Sequence, residues 1–220
     1  MPITGKGILM TAMNIEAEHE AEFNHWYDRE HIAERVAIDG FIEARRFKAT
    51  SGAPAYFATY TTAQFEDLDA PAYRAALAKQ TEWSRRNISR FKDMIRVVGR
   101  ITISRGYGRG AAMAVVRLRP QGQTPEHWRS HLHPQLDPAD IANIISMQLI
   151  ESDPVLSKSL TDPDRADPGA GDWWVLIEGT EIEAVDALAQ KLFGASELAV
   201  ISRATYRLLW DLHKADLSTN

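Results

Sequence analysis

Cysteine is absent from the 220 residues. That excludes disulfides, thiolate nucleophiles and Cys-ligated zinc or iron–sulfur sites, and it fits a reducing cytoplasm. An excess of positive charge is missing as well. Lys and Arg total 25 against 30 Asp and Glu, a formal net charge of −5. Nothing in that balance favours nucleic acid, which calls for a basic face. Long apolar runs are lacking too. The opening MPITGKGILMTAMNIEAEHE turns acidic after a few apolar residues. It is too short for a signal-peptide core or a transmembrane helix, and no later stretch approaches a bilayer span. The expectation is a soluble cytoplasmic chain with neither nucleic acid nor membrane as partner.

What is present is ordinary globular material. The sequence is 45% hydrophobic and 25% charged, enough to bury a core without covalent staples. Gly7 to Met13 reads as a buried strand. From about Glu16 to Val36 the pattern is helical, ended by the turn signal Asp39-Gly40. Phe41 to Lys48 and Ala55 to Thr62 read as a hairpin around Ser51-Gly-Ala-Pro54. Phe65 to about Phe91 is helical, with a restart at Asp69-Ala-Pro71, and Met94 to Ser104 closes the unit. The glycine-rich Arg105–Gly110 then reads as a linker.

After the linker the order repeats. Ala111 to Leu118 is a strand. Thr124-Pro125 opens a helix as N-cap and first helical residue. Ile141 to Glu151 and Trp173 to Ile177 are strands, Glu181 to Phe193 an amphipathic helix, and Glu197 to Leu209 the last strand. The loop Ser152 to Gly171 is long enough to be functional or mobile, and the tail from Lys214 reads as frayed. A His-Trp-x4-His pattern occurs in both halves, at His25-Trp26…His31 and His127-Trp128…His133. Internal similarity of this kind points to duplication.

The β-α-β-β-α-β order is that of the ferredoxin-like split βαβ unit. The predicted fold class is therefore α+β, with two tandem ferredoxin-like units, 1–104 and 111–220, joined by 105–110. Helices cover one face of each antiparallel sheet. The other faces are expected to pack against each other, within one chain or between two.

The segment Phe23-Asn-His-Trp-Tyr-Asp-Arg-Glu-His31, followed by Gly40-Phe41 and Arg45-Arg46-Phe47, resembles the dimeric α+β barrel superfamily, closest to its EthD-like and uncharacterised bacterial branches. The chain departs from the usual pattern at Ala33, where related proteins often have proline. The second half has Ala142-Asn143 in place of the Gly-Phe step. The resemblance implies an α+β barrel, a homodimer or an intramolecular pseudo-dimer. It also implies a small-molecule ligand between the first helix and the sheet, or inside the barrel. Members include dehydratases, cyclases, isomerases, monooxygenases and haem proteins, so it implies a fold more firmly than an activity.

His31 is the leading catalytic candidate, since imidazole suits proton transfer near neutrality. Its alternative role is to cap a helix C-terminus. Tyr27, His31 and Arg35 stand at i, i+4 and i+8 and share a stripe if the helix is continuous. Tyr27 would donate to a substrate oxygen and Arg35 would hold a carboxylate or phenolate. Arg45 is the third catalytic candidate. On a covered face it needs an anionic partner, which could be Glu43, a helix carboxylate or a ligand. Trp26, His25 and Tyr56 complete the expected substrate-binding set, with Trp26 and His25 also readable as core and solvated face. His127, His131 and His133 fall within seven residues, but one helical turn cannot aim all three at one ion. No metal or cofactor is called for, and haem remains an alternative. The sequence thus predicts cofactor-independent proton transfer on an aromatic or polyketide-like molecule, a dehydratase, isomerase or cyclase. The competing reading is a non-catalytic binding or assembly module.

Overall fold

A computed structural model describes residues 4–158 and 169–219. Eight strands alternate with helices: β1 (Gly7–Asn14), β2 (Phe41–Ser51), β3 (Tyr56–Thr62), β4 (Lys92–Gly106), β5 (Ala112–Arg119), β6 (Ile144–Ser152), β7 (Trp173–Gly179) and β8 (Ala199–His213). All neighbouring strands are antiparallel, and they close into one barrel in the order β1-β3-β2-β8-β5-β7-β6-β4. Within that ring the first four strands lie as β4-β1-β3-β2 and the last four as β8-β5-β7-β6, the same order in each half. The expected two sheets are thus two arcs of one sheet, joined edge to edge at β2/β8 and β4/β6. Closure leaves no free edge, and this chain achieves it alone.

The strand period of two sorts side chains into three apolar layers. Ile8, Met10, Phe57, Met113, Val115 and Leu176 fill the barrel interior. Leu9, Met13, Ala58, Tyr60 and Val98, from the opposite faces of the first-half strands, pack under the first-half helices. Those helices are α1 (Ala17–Trp26), a π-helical turn at Tyr27–His31, α2 (Ile32–Ala37), α3 (Pro71–Ala78) and α4 (Glu82–Ile88). In the second half, α5 (Pro125–Leu132) and α6 (Ile182–Phe193) cover a third layer that includes Ala114, Val116, Leu149 and Val175.

Several expectations need adjustment. Strict alternation from Phe41 would put Phe41, Glu43, Arg45 and Phe47 on one face, but Phe41 does not share it, because the β2/β3 register shifts between Phe41 and Glu43. A bulge turns the strand over at that point, so Phe41 joins the helix layer while Phe47 lines the interior. The long second helix is three pieces, a 3-10 turn (Phe65–Asp69), α3 and α4. Pro71 starts α3 and Thr81 caps α4 by accepting from the Ser84 N–H. The tail is not frayed through its first residues. Lys214–Thr219 forms a 3-10 turn, Leu217 packs on the helix-layer core, and the Lys214 Nζ donates to the Ile38 carbonyl at 2.8 Å. The expected loop Ser152–Gly171 falls partly outside the described residues.

Gly40 has φ +87°, and a Cβ there would run into the Asp67 carboxylate. The turn that delivers the first helix to β2 therefore depends on glycine. Gly40→Ala is expected to cost about 1 kcal/mol or more, read as a lowered denaturation midpoint with an unchanged slope.

Candidate functional site

The first helix does not run evenly from end to end. At Tyr27–His31 it widens to a π-helical turn, closed by the Ile32 N–H bonding to the Tyr27 carbonyl. Such single-turn bulges displace side chains from the α register and often accompany functional sites. The helix then continues as α2, so His31 lies inside it. The C-terminal-cap role is excluded, because the helix ends six residues later, at Ala37.

The turn is held from outside by a polar knot. One oxygen of Glu30 accepts from the Trp26 indole N–H (3.1 Å), the Thr81 hydroxyl (2.6 Å) and the Ser84 hydroxyl (3.0 Å). On the other side, one Asp28 oxygen accepts from Arg46 (3.0 Å) and from the Trp210 indole (2.8 Å). Two residues of the π-turn, Asp28 and Glu30, are thereby fastened to α4, β2 and β8. The sequence hinted at this only through its run of alternating acidic residues, Asp28 and Glu30.

Beneath the turn His31 lies among three aromatic rings. Its centroid is 4.2 Å from Trp26, 5.0 Å from Tyr27 and 6.2 Å from Tyr60. His31 is half-buried overall, but its Nδ1 is enclosed and has no hydrogen-bond partner. Burial, then the charges of Arg35 and Arg46, hold its pKa well below the usual histidine value, so the ring is neutral at physiological pH. Tyr27 and Tyr60 are both buried. Burial pushes both phenols up, Tyr60 strongly, so both remain protonated. The Tyr27 hydroxyl faces the Met13 sulfur at 4.0 Å. Those of Tyr60 and Thr11 are enclosed and turn toward the Tyr27 hydroxyl, whose pKa they help to hold down against burial.

Arg35 completes the cluster. Only 4% of it is exposed, and its Nε and Nη1 have no partner. No ion pair to Arg35 occurs among the described residues, although its charge acts on Tyr27, His31 and Tyr60 alike. Arg46 has a different setting. Its guanidinium sits 4.3 Å from the Tyr27 ring centroid and 5.1 Å from those of Phe23 and Tyr56. It donates to Asp28 and to Asn24, so it is a caged and compensated cation.

Of the residues expected from sequence, Tyr27, His31 and Arg35 come together, with Trp26 stacked behind. Arg45 does not join them. It projects from the opposite face of β2 into the barrel interior, where it donates to Glu178 at 2.6 Å and to the Gly110 carbonyl at 2.8 Å. None of the expected partners is its anion. Glu178 comes from β7 in the other half, and Glu43 pairs instead with Arg109. His25 is exposed, 5.4 Å from the Trp83 ring. Tyr56 is buried, its hydroxyl donating to Glu20 and accepting from Asn24. The sequence reading missed Tyr60, Thr11 and Arg46. Tyr60 was within reach, since Tyr56, Ala58 and Tyr60 alternate on one face.

The second His-Trp-x4-His segment is not equivalent. Trp128 is buried like Trp26, but α5 ends at Leu132, so His133 emerges beyond the helix. It is exposed beside Arg105, at 3.0 Å, and Arg105 is paired with Asp137 at 2.6 Å. A cleft of about 400 Å³ opens there, lined by Arg105, Tyr107, Asp137 and Pro138. His127, His131 and His133 do not converge on a common point. Among the described residues, three potential metal ligands approach one another only at Glu16, Glu18 and His19, on the surface at the start of α1.

No curated protein sequence matches the chain. Among solved structures, it is similar to an anthrone oxidase-like protein, with a TM-score of 0.61 at 10% identity, over 96% of this chain and 94% of that one. It is also similar to a candidate monooxygenase from Lactobacillus acidophilus NCFM (TM-score 0.55, 8% identity, 96% and 94% covered). A candidate chlorite dismutase gives a TM-score of 0.54 at 11% identity, with 97% and 98% covered. At such identities the likeness is one of fold, the single-chain α+β barrel. Residues 6–104 match the model of a domain of unknown function (DUF4286), the stretch that carries the π-turn and every member of the Tyr27–His31–Arg35–Tyr60 cluster.

Proposed function

We propose that the chain is a small-molecule enzyme that moves a proton on a substrate held between the π-turn and the first-half sheet. The observation that carries this reading is the His31 Nδ1, which is neutral, enclosed and unpartnered on a π-turn. A neutral imidazole with a free nitrogen is a general base. It would take a proton from the carbon next to a carbonyl. The bonding electrons would move onto the carbonyl oxygen, where the protonated Tyr27 or Tyr60 donates a hydrogen bond. Return of the proton to a different carbon is an isomerisation. Loss of a β-hydroxyl as water, with that proton, is a dehydration. Both are cofactor-independent, and both belong to the reaction class the sequence suggested. Arg45, locked in the barrel interior, has no part in them.

The same proposal assigns one working site to the chain. The halves share a strand order and would descend from one βαββαβ unit, an intramolecular pseudo-dimer of EthD-like type. The second half lacks the π-turn and serves to close the barrel.

Deuterium exchange tests the function. Enolisable aromatic ketones and β-keto acids, the former suggested by the anthrone oxidase-like neighbour, are incubated with the protein in D2O. The α-proton signal is followed by NMR. Exchange above the buffer rate, lost by 10²-fold or more in His31→Gln, is the expected result. Equal exchange by the wild type and His31→Gln would leave the non-catalytic binding module as the better reading.

A further inference from the structure

Arg35 poses a problem that the protein's own residues do not solve. A guanidinium carries five N–H donors and a permanent charge. Burying it without a carboxylate is among the costlier arrangements a fold contains. The chain has other buried arginines, and each is compensated. Arg45 has Glu178, Arg46 has Asp28, and Arg117 has Asp172. Arg35 is buried as deeply, yet has two enclosed nitrogens without partners; among the described residues it forms no ion pair, and the neighbouring Glu34 only feels its charge. Its surroundings repeat the pattern. The His31 Nδ1 is also enclosed and unpartnered, and the enclosed Tyr60 and Thr11 hydroxyls have only the Tyr27 hydroxyl to turn to. These groups come from α2, the π-turn, β3 and β1, so four elements converge on one enclosed polar spot whose cation has no counter-charge in an ion pair.

The unmet needs have a definite chemistry. Arg35 requires negative charge, the Tyr27, Tyr60 and Thr11 hydroxyls form a group beside it that could turn a hydrogen toward an anion, and the rings of Tyr27, Tyr60 and His31 supply flat apolar walls. We infer that this spot binds the anionic oxygen of the ligand, so that the substrate class is a planar aromatic or conjugated acid presenting a carboxylate, or an enolate or phenolate, to Arg35. The inference rests on the proton-transfer reading for the word substrate. Anion binding itself stands on Arg35 alone. A bound anion would also offset the Arg35 charge, which adds to burial in depressing His31, moving the ring toward the range where acid–base exchange is efficient.

The test uses the intact chain with sodium benzoate as probe and benzamide as its uncharged isostere. Binding is followed by the His31 ring signals in NMR. Saturable benzoate binding, at least tenfold tighter than benzamide, is expected. Arg35→Gln should weaken benzoate at least tenfold and leave benzamide unchanged, while Arg35→Lys retains part of the preference. The wild-type-like amide spectrum of the lysine variant guards against a folding artefact. Equal binding of the two probes overturns the inference. So does undiminished benzoate binding by Arg35→Gln, or no saturable benzoate effect on His31. The outcomes separate the two readings. Arg35-dependent benzoate binding without His31-dependent deuterium exchange removes the catalytic reading and keeps the anion site. Exchange that needs His31 but is indifferent to Arg35 does the reverse.

Discussion

Glu178→Ala is expected to destabilise the protein by about 3–5 kcal/mol, the usual cost of removing one partner from a buried ion pair. Glu178 is wholly buried and accepts from both Arg45 and the Gly110 N–H. Burial raises its pKa, with Arg45 pulling the other way, so the pair holds an expensive pair of charges rather than supplying a large net gain. The loss arises because alanine strands Arg45 in the barrel interior. Glu178→Gln, which keeps an acceptor, should lose less. Replacing both partners, as in Arg45→Met with Glu178→Leu, should recover most of the loss, since well-packed apolar pairs often match buried ion pairs. Urea denaturation of the four proteins measures this directly. A Glu178→Ala loss below about 1 kcal/mol would show that the interior is wetter than its burial indicates.

Arg35→Met should go the other way, gaining up to roughly 1–4 kcal/mol, the range seen when a buried ion pair gives way to well-packed apolar side chains of similar volume. Methionine preserves the apolar stem that packs under α2 and discards a charge with no partner to strand. The contrast with Arg45 is the point of the experiment. Both arginines are about equally buried, yet one is ion-paired and the other is not, so Glu178→Ala, which strands Arg45, and Arg35→Met should shift the midpoint in opposite directions. A gain in stability with loss of benzoate binding would mark Arg35 as retained for a ligand at the expense of the fold. A loss of several kcal/mol would identify it as a structural residue.

Much of the architecture was legible in the residues because it rests on local periodicity. Alternation along Tyr56–Thr62, the Thr124-Pro125 cap and the Gly40 turn each have a chemical signature that one sequence displays. Three features were not legible. The bulge after Phe41 reassigned a face, since a one-residue irregularity inverts every side chain on one side of it. The partner of Arg45 lies 133 positions away, and no spacing rule reaches across a barrel. The π-turn leaves no mark in an i, i+4 pattern. Tyr27, His31 and Arg35 read as an even stripe in sequence, and the structure brings them together around a widened turn. The paired His-Trp-x4-His motif showed the limit from the other side. Equal spacing did not mean equal sites, because α5 stops where the first helix bulges and continues.

The central claim is that His31 is a neutral base lying in the field of Arg35, which forms no ion pair among the described residues. The most direct measurement is the NMR titration of the His31 ring between pH 4 and 8, without and with saturating benzoate. A histidine whose folded pKa lies below its unfolded value of about 6.5 stays neutral as pH falls through 6.5 and protonates only at lower pH. The account predicts that depressed midpoint in the free protein and a clear upward shift when benzoate is bound. A midpoint at or above 6.5 in the free protein, unmoved by benzoate, would contradict it.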